Sequence, residues 1–271
     1  MTPGFAKSRQ ELFWLPYPEP DRVIINAHNF ETPWTPAING KMPVAAWIES
    51  RDPEAVTSST ATDLVGTNHG TLTSMDLTAD PDTARIADTG AGGVRALNFD
   101  ATNDYLSLGS TIVLPFSSAF SISWWEKVTT SSGSYRSRFR LRNGTNDFIV
   151  FRSDAMGYST LSFGPGRGVA TMRAVCATLT AAAGQWKHFV IVGSSGSNSN
   201  TAANYSLYED GSAITVVAGD AYGNYNGQSR IGWDGADDPA NCRMDDIRIW
   251  HQSLDATDAT SLYASGSGRG I

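Results

Sequence analysis

The acidic residues are the first place to look for chemistry, because two carboxylates on one face can attack and protonate a glycosidic bond. The closest run, Glu-Ser-Arg-Asp-Pro-Glu at 49–54, contains a proline and does not alternate its acids on one face. Asp245 and Asp246 are adjacent, so a regular strand would point them to opposite faces. The four histidines are scattered, with no nucleophile motif nearby. The sequence therefore predicts that the protein is not an enzyme.

A row of arginines is the sharpest local pattern in the chain. Segment 135–142 reads Tyr-Arg-Ser-Arg-Phe-Arg-Leu-Arg, with arginine at every second position. A strand would place these arginines on one face and the Ser, Phe and Leu side chains on the other. The arginines are Arg136, Arg138, Arg140 and Arg142. We interpret the row as a dock for a neighbouring subunit or an anionic polymer, or alternatively as a solvated outer face.

Aromatic residues near the C-terminal third suggest a sugar site. Tyr-Gly-Asn-Tyr-Asn-Gly at 222–227, followed by Trp-Asp at 233–234, combines rings with amide and carboxylate groups. Rings that carry a polar edge suit a surface that is partly apolar and partly wet. The candidate glycan-binding residues are Tyr222, Tyr225, Trp233 and Asp234. The alternative is a Gly/Asn-rich turn beside a core tryptophan.

The N-terminal segment 1–43 differs from the rest of the chain in interleaving prolines with aromatic residues. Prolines at this density remove backbone donors and disfavour both a long helix and a central strand. The segment is therefore predicted to be an extended arm. Its aromatic residues must pack either on another subunit or on the chain's own domain. The candidate docking residues are Phe13, Trp14, Tyr17 and Trp34.

The elements that would position these residues are short strands. After residue 43, apolar runs alternate with Ser, Thr, Asn and Gly, and charged residues make up only 17% of the chain. In Phe120–Glu126 the side chains of Phe120, Ile122 and Trp124 share one face. Asp210-Gly211 predicts a hairpin turn. A short helix is predicted over 254–264, capped by Ser253 or Asp255.

Charge and composition exclude several classes of protein. The net charge of −7 argues against a nucleic-acid binder, which would need a basic surface. No apolar stretch approaches the roughly 18 residues of a membrane span, and no export signal is recognisable at residues 1–21. Cys176 and Cys242 are predicted to be buried free thiols, with a disulfide as the alternative.

Five segments in order resemble the laminin-G-like, concanavalin A-like family of lectins and glucanases. They are 63–72, 96–109, 120–127, 186–192 with 207–211, and 231–262. The Asn-His-Gly-Thr-Leu-Thr run at 68–73 and the Gly-Arg-Gly-Ile ending resemble a subset encoded by phages. The resemblance covers about 44–264. It lacks the alternating catalytic acids of the laminarinase-like members.

The resemblance implies an all-β fold, a jelly-roll sandwich of two antiparallel sheets. We expect an extended arm at 1–43, the sandwich at 44–265 with one short C-terminal helix, and a flexible tail at 266–271.

Calcium is the ion that members of the resembled family commonly bind. We expect that this protein requires no cofactor. Calcium prefers oxygen ligands, and Asp100, Asn103 and Asp104 supply them in one turn. The alternative is that Asp100 and Asn103 cap their own turn through the backbone. Asp245 shares strand alternation with Ile247 and Ile249, which predicts a hydrogen-bonded structural carboxylate.

An outward-facing lectin-like domain with no recognisable export signal fits a phage virion protein, assembled in the host cytoplasm and exposed on the particle. We therefore expect a capsid decoration or tail-appendage subunit. Its expected partners are other capsid or tail proteins, further copies of itself, and cell-surface glycans, with no nucleic acid or membrane among them. The alternative is a bacterial extracellular carbohydrate-binding or adhesion module, and a glycan hydrolase is a third reading.

Overall fold

The computed structural model describes thirteen ranges of the chain, all within one compact unit, Trp34–Ile271. The ranges are 37–49, 58–78, 85–86, 95–109, 118–129, 135–143, 146–155, 158–167, 172–179, 183–194, 201–222, 229–233 and 239–263.

The regular elements in the described residues are mostly strands, with a single α-helix, α1 (Ala256–Tyr263). The strands are β1 (Ala45–Trp47), β2 (Thr60–Ala61), β3 (Gly70–Thr73), β4 (Arg85–Ile86), β5 (Ala96–Asp100), β6 (Tyr105–Ser107), β7 (Phe120–Val128), β8 (Tyr135–Asn143), β9 (Asn146–Ala155), β10 (Tyr158–Arg167), β11 (Met172–Leu179), β12 (Trp186–Gly193), β13 (Tyr205–Glu209), β14 (Ser212–Ile214), β15 (Val217–Tyr222), β16 (Arg230–Ile231) and β17 (Asn241–Trp250). None of the helices in the described ranges is long and apolar enough to cross a membrane.

Within the described residues, the strands form two antiparallel sheets. An eight-stranded sheet runs in the order β14-β13-β12-β7-β17-β5-β4, and β1 joins it beside β17. A nine-stranded sheet runs in the order β15-β11-β10-β9-β8-β16-β6-β3-β2. The two sheets form a jelly-roll sandwich with one short C-terminal helix, so the predicted fold class is confirmed.

The core lies between the two sheets and is built on aromatic pairs. Trp124 of β7 meets Phe139 of β8 edge to face, with 4.9 Å between ring centroids. Phe120 and Phe148 form a second pair at 5.0 Å. All four rings are fully buried, as is Ile122, and each pair joins one sheet to the other. The predicted alternation along β7 therefore places its apolar face in the core.

Helix α1 covers the outer face of the eight-stranded sheet. Leu254, Ala259 and Leu262 pack there on Val190 and Trp250. Burying this apolar face holds a helix of eight residues that would not be stable in isolation.

A capping box begins α1, with Asp255 as its cap. Oδ1 of Asp255 accepts hydrogen bonds from the backbone N–H groups of Thr257 and Asp258, and Asp258 Oδ2 accepts one from the Asp255 N–H. The Asp258 carboxylate also accepts a hydrogen bond from Asn39 Nδ2 at 2.8 Å and forms an ion pair with Lys41. Burial would raise the pKa of Asp258, but the hydrogen bond from Lys41 and the other donors lower it.

Residues 37–43, which the sequence assigns to the arm, lie on the sandwich. Ile38 packs against the apolar cluster beneath α1, and the Lys41 carbonyl accepts a hydrogen bond from Trp250 Nε1 at 3.2 Å. The packed part of the chain therefore begins before Val44. The candidate docking residues of the arm lie outside the described residues; they are Phe13, Trp14, Tyr17 and Trp34.

One carboxylate fastens the loop between β2 and β3. Asp63 Oδ1 accepts backbone hydrogen bonds from Ala46, Val65 and Gly66, and Oδ2 accepts one from Asn68, all at 2.9–3.1 Å. A Cβ at Gly66 would stand 2.8 Å from Asp63 Oδ2, so glycine is needed there. The segment that carries part of the family resemblance is thus a structural tie between this loop and β1.

The long strands β8 and β17 each carry an extra residue that reverses their alternation. The register of β8 on β9 shifts between Ser137 and Phe139, and that of β17 on β7 shifts between Asp245 and Arg248. Asp246 takes up the second shift at φ 49°. Asp245 consequently does not share a face with Ile247, contrary to the sequence prediction. Its carboxylate is nevertheless hydrogen-bonded, accepting the N–H groups of Glu49 and Asp246.

Candidate functional site

The outer face of the nine-stranded sheet carries a half-buried group of polar and aromatic side chains. Leu106 and Ile231 point into the core, so their strand neighbours Tyr105 and Arg230 point outward. Arg230 of β16 is paired in register with Ser107 of β6, the strand that also carries Tyr105. Thr71 and Thr73 of β3 continue the same face beyond β6. Hydroxyl groups therefore border an aromatic and cationic centre.

Three side chains form this centre, which we call the Arg230 patch: Tyr105, Arg230 and Trp233. The Arg230 guanidinium carbon lies 4.3 Å from the Tyr105 ring centroid and 5.9 Å from that of Trp233. The two rings are 6.0 Å apart and inclined at 58°. Such cation–π contacts hold a guanidinium in place through its face and do not use the N–H donors in its plane.

A glycine turn brings Trp233 to the patch. Gly232 has φ 96°, a conformation that side chains rarely adopt. A Cβ there would stand 2.4 Å from two carbons of the Phe99 ring, in the core. The Gly232 N–H donates to the carbonyl of Arg138, and its own carbonyl accepts the N–H of Ala240. The chain is thus fixed on both sides just before the tryptophan.

The turn that precedes Tyr105 contains the candidate calcium ligands. Asp100 and Asn103 are exposed, and Asp100 Oδ1 accepts the Thr102 N–H at 2.8 Å, so Asp100 caps its own turn. Asp104 is buried, and its Oδ2 accepts the Asp100 N–H at 3.0 Å. Burial, together with the neighbouring Asp100 carboxylate, raises the pKa of Asp104 to about 7.

The described ranges contain no group of three or more His, Cys, Asp or Glu side chains arranged to hold a metal ion. Calcium binding at Asp100, Asn103 and Asp104 stays a prediction.

Two arginines meet one glutamate inside the sandwich. Arg138 Nε donates to Glu126 Oε1 at 2.6 Å, and Arg152 Nη1 lies 3.4 Å from the same oxygen. Trp124 Nε1 donates to Glu126 Oε2 at 3.1 Å. Burial would raise the pKa of Glu126, but Arg138 and Arg152 lower it. The cluster joins β7 of one sheet to β8 and β9 of the other.

The predicted single face of arginines is therefore wrong. Arg138 and Arg140 are buried within the chain, and the half-buried Arg136 donates to the Pro239 carbonyl at 2.8 Å. The physical reason is the extra residue in β8, which turns Arg138 toward Glu126 of the other sheet. Arg138 and Arg140 are not available to a partner, and the Arg142 side chain lies outside the described residues.

The predicted sugar-site residues are only partly described. Trp233 is half-buried and belongs to the Arg230 patch. Tyr222 ends β15, but its side chain, like all of Tyr225 and Asp234, lies outside the described residues. Cys242 is buried and its sulfur is not in a disulfide, as predicted, whereas the Cys176 side chain is not described.

Sequence reasoning missed Tyr105 and Arg230 as site residues. Their signal was the alternation in Tyr105-Leu106-Ser107 and in Arg230-Ile231, which places both outward. Their proximity could not be read from the chain, because β6 and β16 are more than a hundred residues apart.

Comparison with known proteins shows the family. The family model described as the concanavalin A-like lectin/glucanases superfamily matches residues 100–260. No curated protein matches the chain.

Solved structures are similar in fold. Trypanosoma rangeli sialidase in complex with the inhibitor DANA is 13% identical with a TM-score of 0.51, over 86% of this chain and 34% of that chain. The HCR/D W1238A mutant is 11% identical with a TM-score of 0.50, over 84% and 55%. Domain 4 of AbnA from Geobacillus stearothermophilus, in complex with arabinotriose, is 17% identical with a TM-score of 0.47, over 82% and 98%. The chain spans about a third of the sialidase, and these identities show the fold alone.

Proposed function

The chain belongs to the concanavalin A-like lectin/glucanase superfamily, and from that premise we propose that it is a non-enzymatic, glycan-contacting structural protein of a bacteriophage particle. It would serve as a capsid decoration or a tail-appendage subunit. The observation that carries the glycan contact is the Arg230 patch on the outer face of the nine-stranded sheet.

The chemistry of the patch supports contact with a sugar. Half-buried Tyr105 and Trp233 offer rings that suit the apolar face of a saccharide. The hydroxyls of Ser107, Thr71 and Thr73 on the same face supply hydrogen-bond donors and acceptors. Because the patch stands on paired strands and on the fixed turn at Gly232, its geometry is set before a ligand arrives.

The structural contacts of five buried carboxylates support a non-enzymatic role. Asp63 holds a loop, Glu126 pairs with arginine inside the sandwich, and Asp258 completes the capping box of α1. Asp245 accepts two backbone N–H groups, and Asp246 is paired with Arg248. A catalytic acid or base needs access to a substrate, and these five side chains are buried in structural contacts.

The place on a virion is supported by the sequence. The run at 68–73 resembles phage-encoded members of the family, and the proline-rich segment before residue 37 has the composition of a docking arm. The alternative is a bacterial extracellular carbohydrate-binding or adhesion module, which the same patch would equally serve.

Two measurements test the proposal. Glycan-array binding by the full chain should be lost in Trp233→Ala and kept in Tyr208→Ala, a half-buried ring on the other sheet. Binding that is absent in the wild type, or unaffected by Trp233→Ala, would reject the glycan contact. An antibody against the chain should label purified phage particles; finding it only on or outside bacterial cells would favour the alternative.

A further inference from the structure

We propose that the Arg230 patch selects acidic saccharides, with the guanidinium of Arg230 binding a sugar carboxylate while Trp233 contacts the sugar ring. This inference rests on the proposed glycan contact and names the class of glycan. It follows from three features of the patch: the contacts of Arg230, the charges beside it, and its pre-set orientation.

The first feature is the set of contacts that Arg230 makes. Its guanidinium contacts the rings of Tyr105 and Trp233. None of the ion pairs within the described ranges includes Arg230. Its Nε is buried without a hydrogen-bond partner in the described part of the chain. A half-buried guanidinium with an unfilled Nε–H donor, and with no ion pair in the described part of the chain, favours an anionic ligand, because charge-assisted hydrogen bonds are the strong ones.

The second feature is the set of charges beside Arg230, which differs from the surroundings of other arginines. Arg138 and Arg152 meet Glu126, and Arg248 binds both oxygens of Asp246. The chain has 27 acidic residues and 20 basic ones, so carboxylates are not scarce. The cross-strand neighbours of Arg230 are nevertheless Ser107 and Arg140, neither of them acidic. The sheet therefore does not supply Arg230 with a negative charge in either adjoining strand.

The third feature is the orientation of the patch, which is set before a ligand binds. The guanidinium carbon lies 4.3 Å from the Tyr105 centroid, so the ring already restrains the Arg230 side chain and little of its freedom is lost on binding. A planar fork matches the two oxygens of a carboxylate, which a lysine would not. Trp233 lies 5.9 Å from the guanidinium, close enough for a single uronic or sialic acid residue to reach both groups.

The test compares ligands that differ mainly in charge. The full chain is titrated calorimetrically with tetragalacturonate and its methyl ester, and with 3′-sialyllactose and lactose. We expect at least one acidic member to bind about tenfold or more tightly than its neutral counterpart, since a hydrogen bond to a charged group is commonly worth that much.

Variants at position 230 test whether Arg230 causes the preference for acidic saccharides. Arg230→Gln should remove the acid preference and leave neutral binding unchanged, and Arg230→Lys should restore only part of it. Arg243→Gln is the matched control, because it removes the same charge from a half-buried arginine of the other sheet. Thermal unfolding of each variant checks that the fold is kept.

The outcomes separate the two proposals. Equal affinity for the acidic and neutral members, or an acid preference that survives Arg230→Gln, would overturn the inference while leaving glycan contact intact. No binding of any of the four ligands, together with an empty glycan array, would overturn the proposed function itself. An acid preference lost equally in Arg243→Gln would show general charge attraction and would also overturn the inference.

Discussion

Arg138 reaches across the sandwich from β8 and donates from Nε to Oε1 of Glu126 on β7 at 2.6 Å. Both side chains are fully buried, and Arg152 adds a second positive charge to the same carboxylate oxygen. An ion pair in this position costs desolvation, and removing one partner leaves the other charged and buried. This contact thus joins the two sheets, and we expect the removal of either residue to destabilise the fold.

Glu126→Gln should destabilise the fold strongly. Removing one member of a buried ion pair commonly costs about 3–5 kcal/mol, and we expect a loss in that range for the free energy of unfolding. Urea denaturation followed by tryptophan fluorescence measures it. Lys187→Gln is the control: it breaks the partly exposed pair with Asp210 and should cost under about 1 kcal/mol. Comparable losses for both variants would contradict the structural role of the buried pair.

Asp63→Ala should release the loop between β2 and β3. The substitution leaves the backbone N–H groups of Ala46, Val65 and Gly66 without their acceptor. We expect a loss of roughly 3 kcal/mol in the free energy of unfolding, since buried unsatisfied donors cost about 1–3 kcal/mol each. Asp76→Ala, at an exposed turn where the carboxylate accepts one N–H group, should cost less than about 1 kcal/mol. Hydrogen exchange at residues 64–68 reports the loop directly, and unchanged protection there would reject this account.

Gly232→Ala should distort the Arg230 patch as well as the fold. The new Cβ would meet the Phe99 ring at 2.4 Å, and the positive φ adds strain. Gly184→Ala separates the two effects, because Gly184 also has a positive φ but has nothing within 4 Å of the new Cβ. We expect the Gly184 variant to lose about 1 kcal/mol, and the Gly232 variant to lose more and also to lose glycan binding. Equal losses in stability would show that the contact with Phe99 is readily relieved.

Asp104 should make stability depend on pH in an unusual direction. Its pKa is raised to about 7 by burial, so between its ordinary value and that pH the folded chain holds a proton that the unfolded chain releases. Stability from this residue is full below the unfolded pKa and is lost as pH rises through about 7. Asp104→Asn cannot titrate, so the variant should gain on the wild type by more than about 1 kcal/mol between about pH 4 and pH 8.

Unfolding free energies of both proteins across that range test the sign of the Asp104 effect. Asp76→Asn serves as the control, because Asp76 is exposed and its carboxylate accepts the Thr78 N–H at its own turn. A constant difference between the wild type and Asp104→Asn would show that folding does not raise the pKa of Asp104.

Local patterns predicted much of the fold. Asp210 and Gly211 do form the hairpin turn between β13 and β14, with φ of 51° and 75°. The short helix predicted at 254–264 is α1, capped by Asp255. In each case the determinants lie within a few residues of one another, so a single sequence contains them.

The failures came from single extra residues in long strands. The shift near Arg138 depends on how β8 pairs with β9, and that at Asp246 on how β17 pairs with β7. Nothing local in either segment marks the point where alternation reverses. The Arg230 patch was missed because it also depends on strand pairing: β6 and β16 become neighbours only when the whole sheet is assembled.

The contact between Lys41 and Asp258 brings the earliest described part of the chain against its last helix, on the outer side of the eight-stranded sheet. Arg230 stands on the outer side of the other sheet. Residues 37 and 263, where the described N-terminal range begins and the described C-terminal range ends, therefore both lie on the side of the sandwich opposite the Arg230 patch.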